Sequence, residues 1–422
     1  MKIHIDIDCF FVSAHRINNP QYNNIPVAVG GRSNLSIFDT QKKQRVLSQI
    51  SGAFTSSILS SNDNVSFEEY FLDENKRPRG IITTSSYEAR KFGVKTAMSV
   101  AEALRWCPQL KIIPPNYPLY HKLSLALKEL LEKEIPSIEQ FSIDEFFGDI
   151  SGWIEDNEAY NFALMLQNKI AKEIRIPVSI GIAQSKWIAK LATEFAKPQK
   201  IKYIKKEGVN DFIKDIPIAK FPGIGKGYQT KLARYSINTL GKIQQNQELL
   251  YSWGQPGIQL YNRVCGIDNE KISLAKDRKS LGLGRTFDPL SCRIEIKRRI
   301  TILCRHLSFI ALKGGYHSLT FALKIRYQYG EKSKNFVNNN RVFSELFLKQ
   351  EMIKLFHKID THPSHAIVQL NLTLSNFEKN KYTTMDLLHH KEDSKQQELT
   401  HSLQKLRNKY GIDIIKSGGE LK

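Results

Sequence analysis

The stretch KIHIDIDCFF, residues 2–11, decides how the chain begins to fold. Isoleucines alternate strictly with polar residues along it, which is the period of a half-buried strand. The alternation puts Asp6 and Asp8 on the same face, near the C-terminal end of that strand. The sequence therefore predicts a strand that ends in two carboxylates.

A second pair of carboxylates lies in FSIDEFF, residues 141–147, where Asp144 and Glu145 stand between apolar residues. Carboxylates about 4 Å apart repel by roughly 4 kcal/mol per pair at an effective dielectric constant of about 20. If the two stretches form neighbouring strands, a cation is expected to offset this repulsion, and hard divalent ions prefer oxygen ligands. Carboxylates that hold two ions are typical of phosphoryl and nucleotidyl transfer. The alternative is that Asp144 and Glu145 are ordinary turn or edge carboxylates.

Five motifs, in the same chain order, resemble those of the Y-family (DinB/UmuC-type) translesion DNA polymerases. IDIDCFF at 5–11 resembles the first palm strand and steric-gate turn of that family, and SIDE at 142–145 resembles its second catalytic motif. The others are YEARKFGV at 87–94, the run 185–198, and PGIG at 222–225. The resemblance covers roughly residues 1–378.

The resemblance implies an α+β multidomain fold, that of a right-hand polymerase with a ferredoxin-like palm. Small fingers, a helical thumb with a helix-hairpin-helix, and an α/β little finger complete it. The implied boundaries are palm 1–10 and 116–204, fingers 11–115 with a polar insertion at 32–78, thumb 205–270, linker 271–278, little finger 279–378, and C-terminal tail 379–422. The Ser- and Asn-rich insertion is longer than the family pattern, and we expect it to be partly disordered or loosely helical.

Apolar periodicity predicts the elements that build the palm. A helix is expected over 118–134, and Ser185 is expected to cap another over 186–196. Strand, helix, strand, strand, helix, strand is an order of ferredoxin type, and it would bring the first strand beside the strand of Asp144. In the C-terminal part we expect helices at 293–312 and 344–356 and strands at 319–327 and 365–377.

The resemblance assigns the catalytic and metal-binding residues. Asp6, Asp144 and Glu145 match the catalytic carboxylates, which with the carbonyl of Ile7 ligate two Mg²⁺ ions. Asp8 matches a supporting position and is not expected to be a ligand.

The resemblance also assigns a nucleotide site. Phe11 matches the steric gate, which would stack under the deoxyribose and exclude a 2′-hydroxyl, while Phe10 is expected in the core. The remaining matches to triphosphate contacts are Thr84, Tyr87, Arg90, Lys197 and the backbone amides of Cys9 and Phe10. Tyr87 and Arg90, three apart on a helix, can face one ligand, although a solvated helix face would show the same spacing. One departure is Lys200, where the family usually has glycine.

Two segments are expected to bind DNA. PGIGKG at 222–227 indicates a helix-hairpin-helix turn, whose Gly223 and Gly225 let backbone amides approach a phosphate next to Lys226; a plain turn between helices is the alternative. Between residues 278 and 349, fifteen Lys or Arg stand against four acids, which suits a surface that tracks phosphates. Lys279 and Arg285 lie in the part that resembles the opening of the little finger.

Composition agrees with a nucleic-acid partner. Lys and Arg number 62 against 42 acids, a net charge of +20, which favours a polyanion over a neutral small substrate. The five cysteines are scattered without CxxC spacing, so neither a disulfide framework nor a zinc site is indicated. No run approaches the length of a membrane span, and we expect a cytoplasmic protein.

The expected partners are primer-template DNA and dNTPs, and we expect a monomer. TMDLL at 384–388 occupies the place of the sliding-clamp peptide of bacterial family members, but the usual glutamine and final aromatic are missing. Two alternatives to a polymerase stay open: a non-catalytic scaffold of the same family that binds DNA or the clamp, and a two-metal nuclease.

Overall fold

The structure, a computed structural model, describes residues 1–39, 66–267, 270–273, 278–378 and 389–421, together with the backbone of 45–46 and 59–60. The chain forms two compact units. The first contains Met1–Gly31 and Ser66–Lys276, and the second contains Arg32–Val65 and Asp277–Lys422. Among the described residues, no helix is long and apolar enough to cross a membrane.

The secondary structure alternates between short strands and helices. The strands are β1 Lys2–Ile7, β2 Val27–Gly31, β3 Arg45–Val46, β4 Leu59–Ser60, β5 Ile81–Ser85, β6 Lys111–Ile113, β7 Ser137–Gln140, β8 Glu145–Asp149, β9 Val178–Ala183, β10 Ile201–Ile204, β11 Ser280–Leu290, β12 Ser318–Tyr327, β13 Lys332–Asn338 and β14 Ile367–Phe377. The helices are α1 Phe10–Asn18, α2 Phe67–Phe71, α3 Tyr87–Lys91, α4 Val100–Trp106, α5 Tyr117–Glu134, α6 Ala159–Glu173, α7 Lys186–Ala196, α8 Val209–Ile213, α9 Lys226–Ala233, α10 Leu240–Gln245, α11 Gln247–Tyr251, α12 Gln255–Val264, α13 Arg293–Lys313, α14 Glu345–Ile359 and α15 His390–Tyr410.

The five-stranded sheet of the first unit has the strand order β10-β9-β1-β8-β7. β1 is central and runs antiparallel to both β8 and β9, so the predicted placement of the first strand beside the Asp144 stretch is confirmed. Helix α7 packs on β9 and β1, and Ser185 caps it by accepting a hydrogen bond from the amide of Ile188, as predicted. Gly181 makes the close packing possible, since a Cβ there would lie 2.1 Å from the carbonyl oxygen of Ala189.

A second sheet in this unit has the order β5-β2-β6 and packs with α3 and α4. Helix α2, from the end of the polar insertion, packs with this sheet. Ser66 caps α2, and Phe71 is fully buried against the backbone of Gly30. An aromatic side chain that fills the space above a glycine orders this part of the insertion.

Short helices α8 to α12 form the end of the first unit. Their apolar residues share one core with Trp187 and Ile188 of α7. The predicted turn between two helical segments lies between the 3₁₀ turn Ile218–Lys220 and α9. Gly223 has φ +95° there, a left-handed conformation that favours glycine.

The second unit is built on a sheet of order β11-β14-β12-β13, with α13 and α14 packed against it. These elements confirm the helices and strands predicted for 293–377 to within a few residues. Two segments that the expected boundaries place in other domains belong to this unit. Ile37 and Phe38, from the insertion, are buried in its core. Residues 389–421, from the expected tail, attach by buried ion pairs, among them Arg305 with Glu420 and Arg407 with Glu345.

Candidate active site

Three carboxylates lie together at the C-terminal end of β1. Asp6 stands directly opposite Glu145 in the β1–β8 pairing, and Asp144 immediately precedes β8. The amide of Ile7 donates a 3.0 Å hydrogen bond to the carbonyl of Asp144, which fixes the turn before β8 to the strand that carries Asp6. The hydroxyl of Ser142 also donates to Oδ1 of Asp144.

The electrostatics of this cluster show mutual repulsion. Asp6 is only 6% exposed; burial, and next the negative charges of Asp144 and Glu145, raise its pKa, while Lys197 opposes the shift. Burial also raises the pKa of Asp144, with Glu145 adding to it and the Ser142 hydroxyl counteracting it. Neutralising these carboxylates therefore requires positive charge.

Two lysines of the α7 region lie against the carboxylates. Nζ of Lys197 lies 3.0 Å from Oδ1 of Asp6 and 2.7 Å from Oε1 of Glu194. Although burial lowers the pKa of Lys197, the two carboxylates raise it above its ordinary value. Lys190 forms an ion pair with Glu145.

The donor set fits hard divalent cations. Among the described residues, no three His, Cys, Asp or Glu side chains converge tightly enough to form a metal cage, and Asp6 and Glu145 are paired with lysines. Burial raises the pKa of Asp6, and the charges of Asp144 and Glu145 add to that effect. Anionic oxygen ligands around a shared space are the kind that Mg²⁺ takes.

Helix α1 begins next to these carboxylates. Cys9 precedes it in a left-handed conformation, φ 46° and ψ 46°, and the first amides of a helix have no partner within the helix. Phe10 and Phe11 are both buried. The ring of Phe11 stacks on Tyr120, with centroids 4.1 Å apart and planes at 9°.

The β5–α3 segment carries the other predicted nucleotide-binding residues. Thr84 lies near the end of β5, and Ser86 caps α3, which begins at Tyr87. Nε of Arg90 donates to the carbonyl of Ser85 at 3.1 Å, and its guanidinium lies 4.9 Å from the centre of the Tyr87 ring. Within the described residues its Nη groups donate no hydrogen bond, so they can serve a ligand.

Asp8 accepts hydrogen bonds from three different segments of the chain. The sequence assigned it a supporting position but did not predict these contacts. Asp8 is 2% exposed and accepts hydrogen bonds from the Tyr87 hydroxyl at 2.7 Å, the Ser179 hydroxyl at 2.8 Å, and the Gln199 amide at 2.9 Å. It therefore connects β1 to α3, to β9 and to the turn after Lys197. The only sequence signal was its position on the same strand face as Asp6.

The turn that follows Lys197 tolerates the departure from the family pattern. The left-handed residue of this turn is Gln199, with φ 52°, and not Lys200. The amide of Lys200 donates to the carbonyl of Ala196, and its carbonyl accepts from the amide of Ile180. A lysine in place of glycine therefore costs no strain at this point.

The predicted DNA-binding residues differ in their surroundings. Gly223, Gly225 and Lys226 lie at the start of α9, with open space around both glycines. Lys279 is exposed just before β11. Arg285 is a correction: it is 4% exposed, and its guanidinium donates to the carbonyls of Asn34 and Gly284. Burial between β11 and the 33–38 segment makes it a packing residue in this structure. The sequence 384–388 lies outside the described residues.

Comparison with known proteins shows which family this chain resembles. The impB/mucB/samB family model matches residues 5–194, and the model of its C-terminal domain matches 278–387. A DNA polymerase IV of Shewanella baltica is 33% identical over 287 residues, 67% of this chain and 68% of that protein. A DNA polymerase IV of Vibrio parahaemolyticus serotype O3:K6 is 31% identical over 288 residues, 68% of this chain and 69% of that one.

Two solved structures share the fold. A Y-family DNA polymerase chimera, Dbh-Dpo4(243-245)-Dbh, has a TM-score of 0.71 at 21% identity and covers 90% of this chain and 99% of its own. An insertion ternary complex of Dbh DNA polymerase has a TM-score of 0.56 at 20% identity, with the same coverage. The family models and the curated relatives together establish that this chain belongs to the impB/mucB/samB family, the Y family of DNA polymerases.

Proposed function

We propose that this chain is a template-directed DNA polymerase of the lesion-bypass type. It would add deoxynucleotides to a primer 3′ end by two-metal nucleotidyl transfer, with low fidelity and without proofreading. The observation that carries the proposal is the register of β1 against β8, which sets Asp6 opposite Glu145 and next to Asp144. The relatives named DNA polymerase IV support the same activity.

Asp6, Asp144 and Glu145, with the carbonyl of Ile7, would hold two Mg²⁺ ions. When bound, such ions lower the pKa of the primer 3′-hydroxyl and neutralise the leaving pyrophosphate. The chain's own part is to keep three repelling carboxylates together on paired strands. Lys190 and Lys197 balance that charge in the folded protein.

The nucleotide site would be built from α1, α3 and the end of α7. Arg90 and Lys197 would contact the triphosphate, with Thr84 and the amides of Cys9 and Phe10 as further donors, and Tyr87 would line the site. Because the Tyr87 hydroxyl donates to Asp8, the phenol would be held in a fixed place beside the triphosphate. The ring of Phe11, which stacks on Tyr120, would contact the deoxyribose and exclude a 2′-hydroxyl.

Primer-template DNA would be held by both units. The amides around Gly223 and Gly225, with Lys226, suit a backbone phosphate. In the second unit, Lys279 and the lysines and arginine of strands β12 and β13 would provide cations for the duplex. A neighbour of the same fold is described as an insertion ternary complex, which supports DNA and dNTPs as partners. We propose that the protein acts as a monomer.

Primer extension tests the proposal directly. Wild type and Asp144→Ala are compared on undamaged and abasic templates with Mg²⁺ and dNTPs. We expect extension by the wild type alone, read-through of the abasic site, and unchanged DNA affinity of the variant. Binding without any synthesis would favour the scaffold, and shortened primers would favour the nuclease.

A further inference from the structure

An aromatic patch lies on the finger-like sheet, away from the carboxylates. Phe92, at the C-terminal end of α3, is 44% exposed, and Trp106, the last residue of α4, is 58% exposed. Trp106 does not extend freely into solvent. A Cβ built at Gly93, whose φ is +87°, would lie 3.0 Å from Cε3 of Trp106. The indole therefore lies against Gly93, the residue directly after Phe92, which brings the two exposed aromatic side chains close to each other.

Cations surround this surface. Lys91 and Lys95 flank Phe92 in sequence, and Arg105 precedes Trp106; all three are exposed, and none forms an ion pair with any described residue. Two acids are near in sequence. Glu88 is bound to Arg16 at 3.0 Å, and Glu102 lies one turn earlier on α4, partly buried. The patch carries a positive excess.

The positions of the single cations have a simpler explanation than ligand binding, but their combination with two exposed aromatic rings does not. Lys91 and Arg105 lie in the last turns of their helices, where cations stabilise the helix dipole. That effect does not require two large exposed rings beside them. Flat aromatic rings with unpaired cations are the equipment that binds unstacked bases and their phosphates without sequence preference.

We propose that Phe92 and Trp106 form a stacking platform for the unpaired template strand ahead of the templating base. The inference rests on the proposed polymerase function. Phe92 directly follows α3, the helix that carries Tyr87 and Arg90, so the platform adjoins the predicted nucleotide-binding residues. The unpaired strand that enters a polymerase carries exposed base faces and phosphates. The rings would take the bases, and Lys91, Lys95 and Arg105 would take the phosphates.

The test measures how much the template overhang adds to DNA affinity. Full-length protein is titrated, by fluorescence anisotropy, against the same primer-template with a 5′ template overhang of one or six nucleotides. We expect the longer overhang to tighten wild-type binding by about tenfold, the scale of one or two stacked bases. Trp106→Ala and Phe92→Ala should lose that gain and keep the affinity for the one-nucleotide overhang. Trp153→Ala, which removes a tryptophan of similar exposure elsewhere, should retain the gain.

A conservative variant separates stacking from folding. Trp106→Phe keeps an aromatic ring, so it should retain the overhang gain and lose the quenching of tryptophan fluorescence by oligo-dT. If Trp106→Ala keeps the full overhang gain, or if the quenching persists in Trp106→Phe, the platform is not there. Primer extension on the one-nucleotide overhang distinguishes this failure from that of the polymerase function, since only the latter abolishes wild-type extension.

Discussion

The hydroxyl of Tyr87 donates a 2.7 Å hydrogen bond to Oδ1 of Asp8, which ties the start of α3 to the end of β1. Desolvation by burial, and then the adjacent carboxylate, raise the pKa of Tyr87, so the phenol stays protonated and remains a donor. Asp8 thus fixes a predicted nucleotide-binding residue relative to Asp6, two residues earlier on the chain. We predict that it is a positioning residue, since it accepts hydrogen bonds from two side chains and one backbone amide of the chain itself.

We expect Asp8→Asn to weaken dNTP binding through Tyr87 and the turn at Gln199. The amide would turn an N–H₂ group toward hydrogen-bond donors, which costs about 1–3 kcal/mol of stability. Single-nucleotide insertion should show KM for dNTP raised about tenfold with a smaller change in kcat. Asp215→Asn, at an exposed position, serves as the control. A variant that loses stability but keeps its KM would leave Asp8 with a purely structural role.

Phe11→Ala should admit ribonucleotides, because the ring that stacks on Tyr120 would no longer fill the space beside the sugar 2′ position. We expect the preference for dNTP over rNTP, measured as the ratio of kcat/KM values, to fall at least tenfold. Phe10→Leu changes a buried neighbouring ring and should leave this preference intact. An active Phe11→Ala enzyme with wild-type sugar selectivity would mean that another residue excludes ribonucleotides.

The elements around the carboxylates were predictable because their signals are local. Alternation identifies β1, Ser185 marks the start of α7, and the ferredoxin order then makes β1 and β8 neighbours. The contacts of Asp8 were not predictable, since its three donors come from segments far apart in the chain. Sequence spacing shows which face a carboxylate occupies, and only the folded chain shows what bonds to it.

The second unit shows the same limit more strongly. In a polar insertion, Ile37 and Phe38 form no helical or strand period of their own, so nothing local indicates that they enter a core with Phe287. Arg285 counted as one cation of a basic segment, yet the same docked segment buries it. A count of basic residues predicts a DNA-binding surface only if their side chains are exposed, and that of Arg285 is not.

Glu420→Gln should destabilise the second unit. The Glu420 side chain is fully buried, and it accepts from Nε of Arg305 and, at 2.8 Å, from Nζ of Lys349. Although burial raises the pKa of Glu420, Arg305 and Lys349 lower it below its ordinary value. Removing one partner of a buried ionic network leaves the others uncompensated and costs about 3–5 kcal/mol. Urea unfolding of the full chain measures the loss, with exposed Glu398→Gln as the control. A change under about 1 kcal/mol would show that the last residues do not hold the unit together.

His306 should make the stability of the second unit depend on pH. Its ring is fully buried, and neither nitrogen has a hydrogen-bond partner among the described residues. Burial, and then the charges of Arg305, Arg285, Arg407 and Lys416, lower its pKa well below 6.5. Just below pH 6.5 the ring is therefore neutral in the folded protein, whereas in the unfolded chain it takes up a proton.

As pH falls below about 6.5, proton uptake by the unfolded chain favours unfolding, and above that value this effect vanishes. The free energy of unfolding should fall by up to about 1.4 kcal/mol per pH unit from this one group. Urea unfolding at pH 7.5, 6.5, 6.0 and 5.5 measures the slope (about half a unit to one unit between points). His306→Gln should flatten it, since the amide does not titrate, whereas His357→Gln, at an exposed position on α14, should keep it. Equal slopes in His306→Gln and wild type would mean that the buried ring is charged in the folded protein.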